Sequence, residues 1–461
     1  MNRGISRRSF LKSSSLASLW AAGGCVGFPA VIGRRGACER LSHAAIGTGN
    51  MAWADLQGLA SHPEIHITAL CDVDATYLER AKTAFPDARI YRDAFEMFAA
   101  EGDRIDSVNV STPDHTHAQY VIEALKRGLN VYSEKPLCTK LKDSREIQRL
   151  AAERKVVTQL GTQIAAWECD RMTAACIEKR IVGDVKRIWL FSTRRAEYPR
   201  TRFAWPLKAD PVPSTLEWKL WLGPAPFRPY SEKVYHPQQW RRWRDFGSSW
   251  LGDLGIHLIS PVWLGLGLGA VGAETVRAEV SESDWTEDQR RQFWPEMSHV
   301  TWTFPGIKAS GMKSFEVEWF DGFGNAQYRL EPRFFPPAFL QDVAAQTPMG
   351  GLPPQGRVIE CSEGWIISTH FGPQPFVIRK KGGLIVPGRK TDDSVDSDLP
   401  GGGAAASHYH EFVSACLHGG ETRSPFAKSA KMSEWCMVGN FSQLQPERTL
   451  DVEDLLRKEL S

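Results

Sequence analysis

The stretch SSWLGDLGIHLI, residues 248–259, sets one acid and one histidine four positions apart in an apolar, glycine-dotted run. On a helix, Asp253 and His257 then share a face about 6 Å apart. A carboxylate there can orient an imidazole for proton transfer. Taken alone, the pair is better read as a helix-start acid beside a satisfied core histidine.

A second stretch, Gly47-Thr48-Gly49-Asn50-Met51-Ala52, has G-x-G-x-x-A spacing directly after a predicted strand and opens a predicted helix. Gly47 permits a tight turn, and Gly49 lets backbone N–H groups approach a pyrophosphate at the helix N-terminus. Asp72 ends the next predicted strand, where a carboxylate accepts a ribose 2′-hydroxyl and repels a 2′-phosphate. The segment CDVD brings no arginine beside it, so the expected cofactor is NAD(H) and not NADP(H).

Two more stretches follow predicted strands. STPDHTH, residues 111–117, should border the cofactor through Ser111, Thr112, Pro113 and His115, because ligands of open α/β sheets lie beyond the strands' carboxyl ends. Its H-x-H spacing (His115, His117) lacks the acids or cysteines that complete a ligand set, so no metal is expected. In SEKPL, residues 133–137, Pro136 biases Lys135 toward an extended backbone, and Glu134 sits beside it. A lysine facing a cationic nicotinamide suits proton transfer. An ordinary pair of solvated charges is the bland alternative.

Positioning these groups requires a particular scaffold. From Leu41 to about Leu160, LSHAAIG, IHITALC, DSVNVS, LNVYS and VVTQL read as strands. WADLQGLASH, TYLERAKTAF, THAQYVIEALKRG and KDSREIQRLAAER read as the amphipathic helices between them. That alternation predicts a parallel sheet covered on both faces. After Thr162 a helix is predicted across 166–180 and a strand near VKRIWLFST. A Pro- and Trp-rich irregular region follows over 198–247, then alternating runs (HVTWTF, IKASGMKSFEVEWF, RVIECS, GWIIST, FVIRKK) of an antiparallel sheet. PGGGAAA (400–406) reads as a linker. The fold class is therefore α/β: a Rossmann domain over 41–162, then an α+β domain over 163–461 with a large, mainly antiparallel open sheet. Its helix over 408–418 is expected to pack back near the Rossmann domain.

Residues 1–40 stand apart as a leader and linker. SRRSFLKSS pairs Arg7 with Arg8 ahead of a modest apolar stretch from Leu16 to Val26, with no acid before Glu39. This is the pattern of a twin-arginine signal, implying export to the periplasm or beyond. The apolar run is too short to span a bilayer. AAGGC also makes Cys25 a candidate lipid anchor, ranked behind free release. Removing residues 1–25 takes out Arg3, Arg7, Arg8 and Lys12, and the formal charge of +2 becomes −2. Neither value suits a nucleic-acid partner. Nine cysteines without a C-x-x-C pair exclude a dense disulfide framework, leaving room for one or two bridges.

Together the glycine turn, CDVD, STPDHTHA, EKPL, GTQ (161–163) and DFGSSWLGDLGIH resemble the Gfo/Idh/MocA family, the glucose–fructose oxidoreductase and inositol dehydrogenase group. The resemblance covers His43 to about residue 440 and is closest to a secreted, twin-arginine branch. It implies catalytic roles for Lys135, Asp253 and His257 and an alcohol of a sugar, polyol or glycoside as substrate. His257 would take the hydroxyl proton, Asp253 hold its ring or a neighbouring hydroxyl, and Lys135 bind the reacting oxygen. The first and last of these roles are interchangeable between coupled groups. Gln163 would adjoin the nicotinamide. Trp243, Arg244 and Trp250, from the aromatic run ahead of the Asp/His segment, are candidate substrate contacts. Trp250 is bulkier than the family's usual residue, and FAKSAKMSE only loosely matches its ending. Homo-oligomers are implied as well.

The expected function is thus an exported, NAD(H)-dependent oxidoreductase with tightly held nicotinamide. One alternative is a redox-assisted glycosidase that oxidises, eliminates, hydrates and reduces again. No carboxylate pair for ordinary glycoside hydrolysis is apparent. Another is a non-catalytic sugar-binding protein on the same fold.

Overall fold

Strands β1 (Leu41–Ile46), β2 (Ile65–Cys71), β3 (Arg89–Tyr91), β4 (Ser107–Val110), β5 (Asn130–Ser133) and β6 (Thr158–Leu160) form one parallel sheet of order β3-β2-β1-β4-β5-β6. The computed structural model describes residues 40–193, 206–281, 286–322, 332–385 and 406–460. The segment read from sequence as a twin-arginine leader, with Cys25, and nearly all of the 400–406 linker lie outside these residues. All residues of β4 and β5 are buried, as expected of strands covered on both faces. Helices α1 (Asn50–Ala60), α2 (Ala75–Ala84), α3 (Ala94–Glu101), α4 (Asp114–Lys126) and α5 (Leu141–Arg154) make the crossovers. The sequence reading missed β3 and α3: RIY is too short to show a period, and Phe95 leaves α3 without a clean polar face.

The strand order reverses between β1 and β4, so the loops after these strands diverge and open a crevice at their carboxyl ends. Asp74 caps α2 there, its carboxylate accepting from the Thr76 N–H at 2.9 Å.

The second sheet has nine strands: β7 (Val185–Ser192), β8 (Thr275–Val280), β9 (Ser298–Pro305), β10 (Ser314–Asp321), β11 (Gln355–Cys361), β12 (Gly364–Thr369), β13 (Phe376–Arg379), β14 (Gly383–Ile385) and β15 (Thr449–Asp451). Their order is β14-β13-β12-β11-β7-β10-β9-β8-β15, antiparallel except for the β7–β10 pair. The α/β class with a mainly antiparallel second sheet is as the sequence implies.

Helix α6 (Glu168–Glu178) packs on α7 (Ile256–Leu266) against this sheet. Helix α8 (Ala406–His418) returns to α1, where a Cβ at Gly58 would overlap the Tyr409 ring. Helix α9 (Phe426–Gln443) bridges α5 and strands β8 and β9. No disulfide joins the cysteines among the described residues. No helix among them is long and apolar enough to cross a membrane.

The aromatic segment after residue 206 has little regular structure but a core of its own, built on Trp218, Trp221, Tyr235, Trp243 and Phe246. It straps onto the Rossmann domain. The Ala75 N–H donates to Thr215 O (2.8 Å) and the Glu217 N–H to Val73 O (2.9 Å). His236 Nε2 lies 2.9 Å from Asp74 Oδ2, and Gln238 Nε2 donates to Asn50 Oδ1 at 3.1 Å.

Candidate active site

The crevice becomes one cleft of about 850 Å³, walled by the Rossmann loops on one side and the strap, the start of α7 and the end of β12 on the other. Gly47 has φ +92°, and a Cβ there would overlap the Ser111 carbonyl oxygen. Gly49 is the N-cap of α1 and no side chain caps it, so first-turn N–H groups stay available. Asp72 Oδ2 accepts from the Thr48 N–H (2.7 Å) and hydroxyl (3.0 Å), while Oδ1 accepts from the Asp74 N–H (2.9 Å). Burial pushes its carboxyl up, and these bonds pull it back.

Gly47, Gly49, Asn50, Met51 and Asp72 all line the cleft, joined by Ser111, Thr112 and Pro113. Thr48 lies behind the wall, fully buried, and acts through Asp72. A glycine turn, an uncapped helix start and a carboxylate at one rim fit NAD: pyrophosphate on the N–H groups, ribose hydroxyls on Asp72. Arg92 also reaches this wall, but its Nη2 is engaged by the carbonyls of Val73 (2.5 Å) and Thr215 (2.6 Å).

At the other end, Lys135 follows β5 and its Nζ donates to Asp253 Oδ1 and to Asp253 O, each at 2.7 Å. Both side chains are nearly buried, 11% and 13% exposed. Arg241 Nε lies 3.5 Å from the same Asp253 Oδ1. The helical geometry expected of residues 253–257 is corrected: Leu251–Gly255 is a π-helical turn, and α7 starts only at Ile256.

His257 is buried in the wall with Nδ1 lacking a hydrogen-bond partner. Burial holds its pKa well below the ordinary imidazole value, helped by Lys135 and His370 and opposed by Asp253. It is therefore neutral at neutral pH, not titrating there as its residue type alone implies. The His370 ring stands 5.4 Å away.

Three expected contacts lie elsewhere. His115 turns out of the cleft: Nε2 sits 3.1 Å from Trp221 O, and the ring packs on Trp221 and Phe246. His117 takes the cleft position, its ring nitrogens each 2.7 Å from the carbonyls of Pro136 and Thr112. Trp243 is fully buried in the aromatic core and donates its indole N–H to Val234 O, and Arg244 lies beside Trp294. The tight turn Gln239–Arg242 presents Trp240 and Arg241 to the cleft instead. Trp250, Glu134 and Gln163 do line it.

The sequence reading missed Asp114, His370, Trp167 and Phe371. Asp114 begins α4 in the same wall, its pKa pushed up to about 7 by burial, with Lys135 opposing and Asp253 adding to the rise. Trp167, Trp240, Trp250 and Phe371 give the cleft aromatic walls of the kind that pack on the C–H faces of sugar rings. Among the described residues no group of three His, Cys, Asp or Glu is placed to hold a metal.

Residues 41–162 match the Gfo/Idh/MocA model described as "Oxidoreductase family, NAD-binding Rossmann fold". Residues 201–296 match its "Oxidoreductase family, C-terminal alpha/beta domain". Curated relatives include inositol 2-dehydrogenase of Rubrobacter xylanophilus, 31% identical over 28% of this chain and 35% of that protein. D-apiose dehydrogenase of Paraburkholderia graminis is 32% identical over 28% and 34%. The match thus spans about a third of these relatives' length. Whole-fold similarity extends further. An inositol dehydrogenase homologue of Azotobacter vinelandii, solved with NADH and myo-inositol, aligns over 90% of this chain and 98% of its own at TM-score 0.61 and 16% identity. A levoglucosan dehydrogenase with NADH and levoglucosan covers 90% and 100% at TM-score 0.59 and 17% identity.

Proposed function

Because the chain belongs to the Gfo/Idh/MocA oxidoreductase family and carries its NAD-binding domain, we propose that it moves a hydride between a retained nicotinamide and a secondary hydroxyl of a sugar, polyol or glycoside. The observation that carries this reading is the gathering of Lys135, Asp253 and His257 in the cleft that also holds the glycine turn and Asp72. Relatives named for inositol and apiose, and similar structures solved with myo-inositol or levoglucosan, support the substrate class.

Bound NAD supplies the hydride acceptor or donor. The protein's own groups handle position and proton. Lys135 Nζ, fixed by Asp253, is placed to hold the reacting oxygen. Neutral His257 lines the same cleft, its Nδ1 buried and unpartnered, and is the candidate acceptor of the hydroxyl proton. Asp253 fixes Lys135 and faces the substrate. The strap across Asn50 and Asp74 supports retention of the cofactor, and the Arg7-Arg8 leader supports export with it already bound.

A second reading, a redox-assisted glycosidase, is favoured by Asp114. Its carboxyl keeps a proton near neutral pH beside Lys135, which is what protonating a departing aglycone needs. Transient oxidation, loss of the aglycone, addition of water and re-reduction sum to hydrolysis.

One experiment separates them. The full chain is incubated with sugars, polyols and aryl glycosides while nicotinamide absorbance and phenol release are followed together, beside a Lys135→Met control. An absorbance change lost in the control supports the dehydrogenase. Phenol release at constant absorbance replaces it with the glycosidase. Failure to release NAD(H) on mild denaturation, with no turnover of any substrate, refutes both in favour of a non-catalytic binding protein.

A further inference from the structure

Behind the Lys135 end of the cleft, where Glu134 and Gln163 reach the wall, lies a polar network that the proposed roles of Lys135, Asp253 and His257 leave out. Asp55, on α1, and Glu134, after β5, are both buried, and the side-chain amide of Gln163 joins them. Gln163 Nε2 donates to Glu134 Oε1 and lies 3.3 Å from Asp55 Oδ1 and 3.0 Å from the Tyr132 hydroxyl. Asp55 is also held by hydroxyls: Tyr409 donates to Oδ1 and Ser111 to Oδ2, both at 2.7 Å. The second oxygen of Glu134 receives only a 3.3 Å bond from the Lys135 N–H. A Cβ at Gly161 would overlap Oε1, so backbone closes the other side.

The groups facing this pair offer no direct counter-ion. From α4 comes His117, its ring nitrogens against carbonyls; from α8 comes Tyr409; from β5, Tyr132. Lys135 lowers both carboxyls from a distance while its ammonium is bonded to Asp253. Two carboxylates sharing one amide in a dry site cannot both stay charged, because each raises the other on top of the desolvation cost. Their titration belongs to the pair.

We propose that Asp55 and Glu134, bridged by Gln163, hold one proton between them in the resting protein and take up a second when the adjoining nicotinamide is in its neutral, reduced form. The proposal rests on the NAD reading above. It closes the balance of an alcohol oxidation: the C–H bond yields a hydride to the ring, the O–H bond yields the proton that His257 first accepts and the pair finally holds, and a C=O bond forms. The cleft's net charge is then unchanged.

The test counts protons when NAD+ or NADH binds the full chain freed of nucleotide, by calorimetry in buffers of different ionisation heat. NADH should take up about one proton more than NAD+ near neutral pH, so the ratio of their dissociation constants changes up to about tenfold per pH unit. Asp55→Asn and Glu134→Gln should each abolish that difference, whereas Asp114→Asn should keep it. Equal uptake in the wild type, or a difference that survives both substitutions, overturns the proposal alone. If neither nucleotide binds, the NAD reading falls and takes this one with it. The wild-type infrared spectrum needs no variant: NADH must raise protonated-carboxyl absorption over NAD+, and unchanged absorption overturns the proposal.

Discussion

Substituting Lys135 with methionine keeps most of the side chain's volume and removes the ammonium that makes two 2.7 Å bonds to Asp253. The carboxylate left behind is 13% exposed and retains the more distant Arg241 Nε, 3.5 Å from Oδ1. Removing one partner of a buried pair typically costs about 3–5 kcal/mol. Partial exposure and Arg241 lower that here to about 2–3 kcal/mol. Asp253→Asn is milder, about 1–2 kcal/mol, because an amide oxygen and the backbone carbonyl still receive the ammonium. The double variant removes both the charge and its orphan, so the two costs should fail to add by about 1.5–2 kcal/mol.

Stability is read by urea denaturation of the four proteins, and function by hydride exchange on whichever sugar the substrate screen returns. Lys135→Met should lower turnover by about 10²–10⁴, the usual worth of a positioned proton-transfer group. Additivity within about 0.5 kcal/mol would show that the pair is not energetically coupled. Turnover within a few-fold of wild type would remove Lys135 from the mechanism, whatever the stability.

Other parts of the cleft respond differently. Asp72→Ala should raise the Kd for NAD by about tenfold to hundredfold, measured by fluorescence titration, because it loses the ribose acceptor and frees the Thr48 and Asp74 N–H groups; an unchanged Kd removes Asp72 from the site. Asp114, raised to about 7, binds a proton in the fold that the unfolded chain releases near 4. Asp114 therefore contributes a fall in stability as pH rises from about 4 to about 7, by up to about 1.4 kcal/mol per pH unit, and Asp114→Asn should lack that part of the slope in urea midpoints. His236→Ala cuts the strap's bond to Asp74 and should speed NAD release about tenfold in a displacement assay; an unaltered rate means the strap does not hold the cofactor.

What could be read in the sequence was local. The glycine turn, Asp72 and the strand-end lysine each lie within a few residues of the strand that places them, so type and spacing suffice. Asp55 had a signal that went unread: it shares the buried face of α1 with Ala52, Leu56 and Leu59, a charge where an apolar residue belongs. WRRWR offers two Trp-Arg pairs, Trp240-Arg241 and Trp243-Arg244, with nothing in composition to rank them. A single tight turn over Gln239–Arg242 decides it, sending the first pair to the cleft and Trp243 into the core. His370 was out of reach altogether, since it neighbours His257 only after β12 is paired into the second sheet.

The Asp253–His257 spacing shows how a correct motif can carry the wrong geometry. Four residues predict stacked side chains on a regular helix, yet the Ile256 N–H reaches back five residues to Leu251 O. The surroundings supply reasons. The Asp253 carbonyl, which a regular helix would devote to the ladder, also accepts the Lys135 ammonium. Ser249 begins the turn at φ +57°, its hydroxyl taken by Asn440 of α9 and its position set by that helix. A Cβ at Gly439 would overlap Trp302, so α9 sits directly on the β9 core while its neighbours grip the turn. A widened turn of this kind rotates Asp253 relative to His257, and π-turns recur at functional sites for that reason. It lets the carboxylate meet Lys135 while the imidazole sits deeper, beside His370. The acid that holds the lysine and the imidazole proposed as the base are thus separated by the backbone itself, which four residues of regular helix would have set side by side.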